Sequence, residues 1–285
     1  FSLDVLKTAM LELSQVSEMG VDPTGPKVII DANLLLQPDY LQLAYQPKVS
    51  TRSGEALGVE ALVRWRHPEH GDVSPAIFVA LIEQEGRTGE LLDIVMSMAA
   101  RDRKRYRALA SMPDISINIS VLDLDDEELP RRAQKILLEA APADRWTFEV
   151  TETAPITDVA PALSILTRLR IAGFKLSVDD FGTGTSNYER LLVAPFTELK
   201  IDRAMVNRLD INAAEPDPMV RSGIDVGHSL QLQVVAEGVE SVDQFRMVRD
   251  LGCDAAQGYL ISPPVAPVQL DVALDDWRRK FEYLS

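Results

Sequence analysis

The sequence is poor in cysteine, histidine and aromatic residues, and it has no long apolar run. The single cysteine, Cys253, excludes an internal disulfide and fits a reducing, cytoplasmic location. Three histidines offer no Cys/His cluster for zinc, and we expect His67 and His70, which flank Pro68-Glu69, to be a solvated loop pair. No apolar run approaches the roughly 18 residues that cross a bilayer, so we expect no membrane contact from this segment.

Positive charge is also scarce. The 285 residues contain 29 Lys and Arg against 44 Asp and Glu, which gives a net charge of −15. A protein that follows a nucleic-acid backbone carries a basic stripe, so we expect no nucleic-acid polymer as a partner. A small phosphorylated ligand stays compatible with this charge if metal ions neutralise it locally. With 46% hydrophobic and 26% charged residues, the chain has the composition of a well-cored globular protein.

The first 36 residues are expected to lie apart from the main domain. Leu3, Leu6, Met10 and Leu13 recur at helical spacing and predict an amphipathic helix over 1–19. This helix could pair with another helix, as signal-transmitting helices do, or pack on its own domain. Gly and Pro residues over 20–26 predict a linker, with the main domain over 37–285. Because the chain begins at Phe1, we expect a fragment of a longer protein with an upstream sensory or regulatory domain.

Short β-rich segments alternate with amphipathic helices through the main domain. The predicted strands are Leu41–Val49, Ala56–Trp65, Ile115–Ser120, Trp146–Val150, Lys175–Asp180, Thr197–Asp202, Leu232–Glu237 and Asp254–Ile261. The predicted helices are Pro75–Glu85, Leu91–Ala110, Pro130–Ala140, Val159–Ala172, Val220–Leu230, Val242–Leu251 and Pro267–Tyr283. Residues 51–55 are too few for a crossover helix, so the first two strands should form a hairpin. The predicted fold class is α/β, a TIM-like (β/α)8 barrel with the first strand antiparallel.

Polar residues interrupt the apolar alternation of every predicted strand except the first, mostly near the carboxyl end. They are Glu60, Asn118, Glu149, Asp179, Asp180, Glu198, Lys200, Asp202, Glu237 and Gln257. A closed barrel brings these ends together at one mouth, where the active sites of barrel enzymes lie. Carboxylates this close repel one another unless cations lie between them or protons are taken up. Their oxygens, with that of Asn118, suit Mg²⁺ or Mn²⁺, and Ca²⁺ could also bind.

Asp179 and Asp180 are adjacent, and neighbouring strand residues point to opposite faces. Both can reach one site only where the strand ends and turns, and we expect Gly182 and Gly184 to supply that turn. One aspartate could then bridge two cations while the other binds the second. Two cations about 3.5–4 Å apart are the usual clamp for in-line displacement at phosphorus.

These residues resemble the EAL domain family, bacterial phosphodiesterases of cyclic di-GMP. The signature Glu60-Ala61-Leu62 lies within a longer series of matching motifs. In chain order these are Tyr45-Gln-Pro-Lys48, Glu60-Ala-Leu-Val-Arg-Trp65, Arg66-His-Pro-Glu-His-Gly71, Asn118-Ile-Ser120, Glu149-Val-Thr-Glu152, Asp179-Asp-Phe-Gly-Thr-Gly184, Lys200-Ile-Asp-Arg203, Ala236-Glu-Gly-Val-Glu240 and Gln257-Gly-Tyr-Leu260. The match in order and spacing runs from about Leu41 to the C-terminus.

The resemblance implies hydrolysis of one phosphodiester of cyclic di-GMP to linear pGpG, by in-line attack of a metal-activated water in a two-metal site. It implies that the first Mg²⁺ or Mn²⁺ ion is held by Glu60, Asn118, Glu149 and Asp179. It implies that Asp179 bridges to a second ion, which Asp180 and Glu237 help to hold. Lys200 matches the family lysine that could orient this water or help to deprotonate it. Ca²⁺ is expected to support binding but to inhibit turnover.

The resemblance further implies that Gln46, Arg64 and Gln257 contact substrate, and that Glu152 anchors the loop after Asp180. It also implies a homodimer. Three stretches depart from the family pattern: Thr185–Tyr188 in that loop, Ala204-Met205, and Ile261–Pro264. None removes a predicted ligand. The first lies in the loop that the resemblance links to metal binding and dimer contacts.

Two other functions compete with this interpretation. A catalytically weak cyclic di-GMP receptor or protein-interaction module would share the fold, but members of that kind have lost metal ligands and this chain retains each one. A glycosidase barrel would use paired carboxylates. Only Trp65, Trp146 and Trp277 are present to stack on sugars, and two adjacent aspartates with an asparagine suit cations better than an acid/base pair.

Overall fold

A closed barrel of eight strands forms the body of the molecule. The computed structural model describes residues 34, 36–69, 71–151, 159–181, 191, 193–209 and 217–284. The helix predicted over 1–19 and the linker over 20–26 lie outside these residues. The strands are β1 (Leu41–Ser50), β2 (Ala56–His67), β3 (Gly71–Val73), β4 (Ile115–Ile119), β5 (Trp146–Thr151), β6 (Lys175–Phe181), β7 (Glu198–Ile201), β8 (Gln233–Ala236) and β9 (Ala255–Gln257).

Strand pairing confirms the barrel and its reversed first strand. The ring runs β1, β2, β4, β5, β6, β7, β8, β9 and returns to β1. β1 is antiparallel to both of its neighbours, β2 and β9, whereas the other pairs around the ring are parallel. The short β3, which the sequence analysis did not predict, pairs antiparallel with the end of β2 outside the ring.

The β1–β2 hairpin closes tightly, because only five residues, 51–55, separate the two strands. Gly54 lies in this turn with φ +71°, a region that other residues rarely adopt. A Cβ at this position would lie 2.5 Å from the ring of Phe281, so the hairpin also needs a residue without a side chain here. The Gly54 carbonyl accepts a hydrogen bond of 2.8 Å from the Trp277 indole, which ties the hairpin to the last helix.

Helices cover the outside of the ring. Among the described residues they are α1 (Pro75–Gln84), α2 (Thr88–Arg105), α3 (Arg107–Ser111), α4 (Leu129–Leu137), α5 (Val159–Ile171), α6 (Arg203–Val206), α7 (Pro218–Ser229), α8 (Val242–Asp250) and α9 (Leu270–Glu282). The helix predicted over Leu91–Ala110 divides into α2 and α3, because Tyr106 has extended backbone angles. A capping box, in which Ser241 and Gln244 satisfy each other's backbone N–H groups, begins α8.

The apolar core lies between the ring and the helices. Alternation along β4 sends Ile115, Ile117 and Ile119 to this layer, where all three are buried. His67 is also buried and stacks edge-on against Trp65 at 5.2 Å. The expectation of a solvated loop histidine was therefore wrong for His67, because β2 continues to this residue and pairs with β3; His70 lies outside the described residues. No helix in the described part of the chain is both long and apolar enough to span a membrane.

Candidate active site

The side chains opposite the apolar layer point into the barrel, and at its mouth they form an acidic cluster around one lysine. We use "acidic cluster" for five carboxylates: Glu60, Glu149, Asp179, Asp180 and Glu237. They come from β2, β5, β6 and the residue that follows β8. Their convergence confirms that parallel strands bring these carboxyl ends together, although more than 170 residues separate the first from the last.

Lys200 occupies the centre of the cluster and is fully buried. Its Nζ lies 2.6 Å from an oxygen of Glu237 and 2.7 Å from one of Glu149. It also lies 3.3 Å from Asp179 and 3.7 Å from Glu60. Burial by itself would lower the pKa of Lys200, but these carboxylates outweigh it and raise the pKa well above its ordinary value. The side chain is therefore held as a cation.

A bulge lets both adjacent aspartates reach the cluster. The pairing of β6 with β7 shifts register between Val178 and Phe181, and Asp180 has φ +58°. This backbone turn brings ligand oxygens of Asp179, Asp180 and Glu237 within 4.8 Å of one another. The change of direction thus occurs inside the strand, at Asp180 itself. Gly182 and Gly184, which the sequence analysis expected to supply the turn, lie outside the described residues.

Glu60 is fixed by amide side chains on both of its oxygens. Asn118 Nδ2 donates to Oε1 at 2.8 Å, and Gln257 Nε2 donates to Oε2 at 2.7 Å. The same Gln257 nitrogen lies 3.1 Å from Gln46 Oε1, and Gln46 Nε2 donates to the Ser262 carbonyl at 3.1 Å. Asn118 and Gln257 thus orient Glu60 directly, and Gln46 does so through Gln257. Ser262 was not singled out from the sequence, since a backbone carbonyl leaves no residue-type signal.

The electrostatics of the cluster differ from one carboxylate to the next. Burial, opposed by Lys200, raises the pKa of Glu149 to about 8. Burial and the neighbouring Asp179 raise the pKa of Asp180 to about 6, and burial raises that of Glu237 well above its usual range. Burial also acts to raise the pKa of Glu60, but Lys200 and the amide donors outweigh it and lower the pKa. One lysine does not offset the burial and mutual repulsion of these groups, so without ions part of the cluster holds protons near neutral pH.

This arrangement of acidic groups fits a divalent metal site. If all five carboxyl groups were ionised, the cluster and its one ammonium would carry four net negative charges, and divalent cations would bind by displacing the protons that the raised pKa values retain. The donors are carboxylate oxygens and the Asn118 amide oxygen, which are hard ligands of the kind that Mg²⁺ and Mn²⁺ prefer. The residues present therefore fit a divalent metal site, and Asp179, Asp180 and Glu237 alone offer three converging ligand atoms.

An ion pair lies below the acidic cluster, one layer deeper in the barrel. We call Lys48 and Glu198 the lower pair; they form an ion pair and are 3% and 4% exposed. Glu198 precedes Lys200 by two residues on the same face of β7, and Lys48 follows Gln46 by two on the same face of β1. β1 thus contributes polar groups as well, which the alternation analysis did not assign to it. The two-residue spacing along each strand could have revealed that Lys48 and Glu198 point into the barrel. Their pairing could not be seen in the same way, because it joins two strands across the barrel.

One predicted residue, Arg64, is not joined to the cluster by the contacts of the described residues. Arg64 lies on the same face of β2 as Glu60, four residues further along, and its guanidinium donates to the Val63 carbonyl at 3.0 Å. No ion pair joins it to the cluster in the described part of the chain. Glu152 and the departing segment Thr185–Tyr188 lie outside the described residues.

The comparison with known families decides what kind of barrel this is. The sequence model of the EAL domain family matches residues 31–264. The chain belongs to the EAL domain family. The resemblance noted from the motifs is thereby confirmed, and so is the barrel fold that it implied.

Similar proteins and structures agree with this assignment. Cyclic di-GMP phosphodiesterase PA2567 of Pseudomonas aeruginosa is 36% identical over 242 residues, 84% of this EAL domain chain and 40% of the relative. Cyclic di-GMP phosphodiesterase NbdA of the same organism is 36% identical over 246 residues, 85% of this chain and 31% of the relative. The chain thus spans less than half the length of these two relatives.

Two solved structures show the same architecture. The PaMucR phosphodiesterase, in its c-di-GMP complex, superposes with a TM-score of 0.76 at 35% identity, covering 84% of this chain and 98% of that one. The EAL domain of Mycobacterium smegmatis DcpA superposes with a TM-score of 0.69 at 30% identity, again covering 84% and 98%.

Proposed function

We propose that this EAL domain is a divalent-cation-dependent phosphodiesterase that hydrolyses cyclic di-GMP to linear pGpG. The observation that carries the proposal is the acidic cluster at the mouth of the barrel: four carboxylates lie within 4 Å of one buried lysine, and a fifth, that of Asp180, converges with Asp179 and Glu237. Relatives that are 36% identical are named cyclic di-GMP phosphodiesterases, and a similar structure holds c-di-GMP. The bacterial sources of these relatives support a bacterial signalling role.

Each side chain has a proposed part in holding the ions. Glu60, Asn118, Glu149 and Asp179 would hold one Mg²⁺ or Mn²⁺ ion, with Asp179, Asp180 and Glu237 holding the second. When bound, such ions polarise phosphate oxygens and lower the pKa of a coordinated water toward neutrality. The hydrogen bonds from Asn118 and Gln257 support the assignment of Glu60, because they fix its orientation and favour its ionised form.

Lys200 is proposed to hold the attacking water by a hydrogen bond. The sequence leaves open whether it orients this water or helps to deprotonate it. Its raised pKa favours the ammonium form, which donates hydrogen bonds and cannot accept a proton. Arg64 is proposed to bind a substrate phosphate with its guanidinium fork, and Gln46 and Gln257 to hydrogen-bond to substrate. The loop-anchoring role of Glu152 also stays a proposal.

The competing functions fit the site less well. A receptor without catalysis has no use for the full set of ligands that the cluster retains, so we favour the enzyme. The tryptophans that a glycosidase would use for sugar stacking are all buried, with Trp65, Trp146 and Trp277 at most 1% exposed. They pack in the core and cannot form sugar subsites.

Chromatography of nucleotides after incubation with cyclic di-GMP tests the proposal. We expect pGpG to form with Mg²⁺ or Mn²⁺ and no product in EDTA, with Ca²⁺ supporting binding only. The matched control replaces Glu60 by Gln, which keeps the shape of the side chain and removes its charge. Binding of cyclic di-GMP without any pGpG at saturating Mg²⁺ would favour the receptor instead.

The remaining expectations stay part of the proposal. They are a domain division at 1–36 and 37–285, a homodimer, an upstream regulatory domain and a cytoplasmic location. The buried free thiol of Cys253 supports the last, since a reducing compartment preserves such a thiol. Light scattering of the purified chain tests the dimer.

A further inference from the structure

The lower pair is an unusual feature for the interior of a barrel. Barrel interiors of this kind are filled mainly by branched apolar side chains, and a buried ion pair contributes little net stability because both charges lose their hydration. Here Lys48 and Glu198 are both almost fully buried, directly below the acidic cluster. The pair therefore calls for a reason other than packing.

The position of the lower pair relative to the acidic cluster suggests that it influences the binding of cations there. Glu198 lies two residues before Lys200, and Lys48 lies opposite Gln257 in the pairing of β1 with β9. The electrostatic neighbours of the Lys48 ammonium include Glu149 of the cluster as well as Glu198 and Asp114. A positive charge at this place opposes the entry of a cation into the cluster unless a negative charge cancels it.

Glu198 provides that cancelling charge. One of its oxygens bonds the Lys48 ammonium, and the other, Oε1, is buried without a hydrogen-bond partner among the described residues. Asp114, the other carboxylate near Lys48, already accepts a hydrogen bond of 2.6 Å from Thr147 and lies 3.9 Å from the Lys175 ammonium. Glu198 is therefore the acidic group committed to Lys48.

We propose that Glu198 is a positioning residue for the metal site: by binding and neutralising Lys48 one layer below, it removes a positive charge that would oppose the binding of divalent cations to the acidic cluster. The inference rests on the proposed function, since it concerns the affinity of that site for its ions. Lys48 acts here as a buried charge to be balanced, and Glu198 acts through it without touching the ions.

Equilibrium binding of Mn²⁺ to the purified chain, followed by calorimetry, tests the proposal. Glu198→Gln leaves Lys48 charged and uncompensated, and we expect it to weaken Mn²⁺ binding by about tenfold or more. The double variant Lys48→Met/Glu198→Gln removes both charges and should return the Kd to within about threefold of the unaltered chain. Lys48→Met alone should not weaken Mn²⁺ binding.

A purely structural ion pair gives a different pattern. In that case Glu198→Gln lowers the unfolding temperature while the Kd for Mn²⁺ is unchanged, and this result would overturn the proposal. Glu198→Asp provides a second test if Glu198→Gln does not fold: it keeps the charge, so we expect a Kd within about threefold of the unaltered chain, and a tenfold loss contradicts the proposal. If the unaltered chain binds no Mn²⁺, the proposed function fails together with this inference; an unchanged Kd in Glu198→Gln defeats the inference alone.

Discussion

The two polar layers inside the barrel differ in charge balance. In the upper layer five carboxylates surround one lysine, whereas in the lower layer one lysine faces one glutamate. Burial is nearly complete in the lower layer and less so at the mouth, where Asp180 and Glu237 are partly exposed. The comparison teaches that burial by itself does not mark a functional site. An unbalanced buried charge does, because the protein alone cannot neutralise it.

The largest expected effect is the difference in hydrolytic activity between two Glu→Gln variants, one in each layer. Glu60→Gln removes a proposed metal ligand and should lower kcat at least about 100-fold at any Mn²⁺ concentration. Glu198→Gln should lose activity only at limiting Mn²⁺ and recover it when the ion is raised. Steady-state hydrolysis of cyclic di-GMP across a Mn²⁺ titration measures both. Equal recovery of the two variants would remove Glu60 from the ion site.

The next effect concerns the buried Lys200. Lys200→Met leaves four close carboxylates without their cation, so in EDTA the free energy of unfolding should fall by about 3 kcal/mol or more. Saturating Mn²⁺ should restore much of this loss, because the ions replace the missing positive charge. Urea unfolding with and without Mn²⁺ measures the difference.

The exposed pair of Lys104 with Glu139 gives the matched control. Both side chains are at least half exposed, so Lys104→Met should cost under about 1 kcal/mol and show no dependence on Mn²⁺. If Lys200→Met proves as mild as this control, the cluster does not carry the excess charge assigned to it.

A smaller effect is expected within the acidic cluster. Asp180→Asn keeps the size of the side chain but removes a proposed ligand of the second ion only. The Mg²⁺ concentration for half-maximal hydrolysis should rise by about tenfold. Circular dichroism should show that the fold is unchanged. Asp72→Asn is the control, since the Asp72 side chain is 91% exposed and its ion pair, at 3.8 Å, is with Arg66 outside the cluster. The same Mg²⁺ requirement in both variants contradicts the two-ion assignment.

How much of this was predictable from the sequence depends on the kind of contact. The strand alternation placed Glu60, Glu149 and Lys200 correctly. Alternation along a strand decides which side chains point into the barrel, and closure of the barrel brings the carboxyl ends of its parallel strands together. The bulge at Asp180 was not predictable, since it depends on the register that β7 imposes on β6.

Glu198 was expected at the mouth and Lys48 was not singled out, so the lower pair was not predicted, for a similar reason. Lys48 and Glu198 are 150 residues apart in the chain, and only closure of the barrel shows that they face each other. The interpretation of His67 as a loop residue failed because β3, three residues long and without a clear β pattern, extends β2 past the predicted end. Local patterns therefore indicate which residues point inward, while their partners follow from tertiary structure.

The smallest expected effect is on pH dependence. Glu149 and Asp180 have pKa values raised to about 8 and about 6 in the chain without ions. The folded state then holds protons that the unfolded state has released, so stability in EDTA should fall as pH rises from 5 to 8, by about 3 °C or more in Tm. With Mn²⁺ the trend should reverse, because the ions bind the deprotonated groups. Thermal unfolding at several pH values measures both curves, and parallel curves would contradict the raised pKa values.

The most direct test of the account is a crystal of the domain grown with Mn²⁺ and examined by anomalous scattering. The account predicts two anomalous peaks among Glu60, Asn118, Glu149, Asp179, Asp180 and Glu237, and none at the lower pair. A map without peaks in the acidic cluster, with Lys200 still bonded to Glu149 and Glu237, would contradict it.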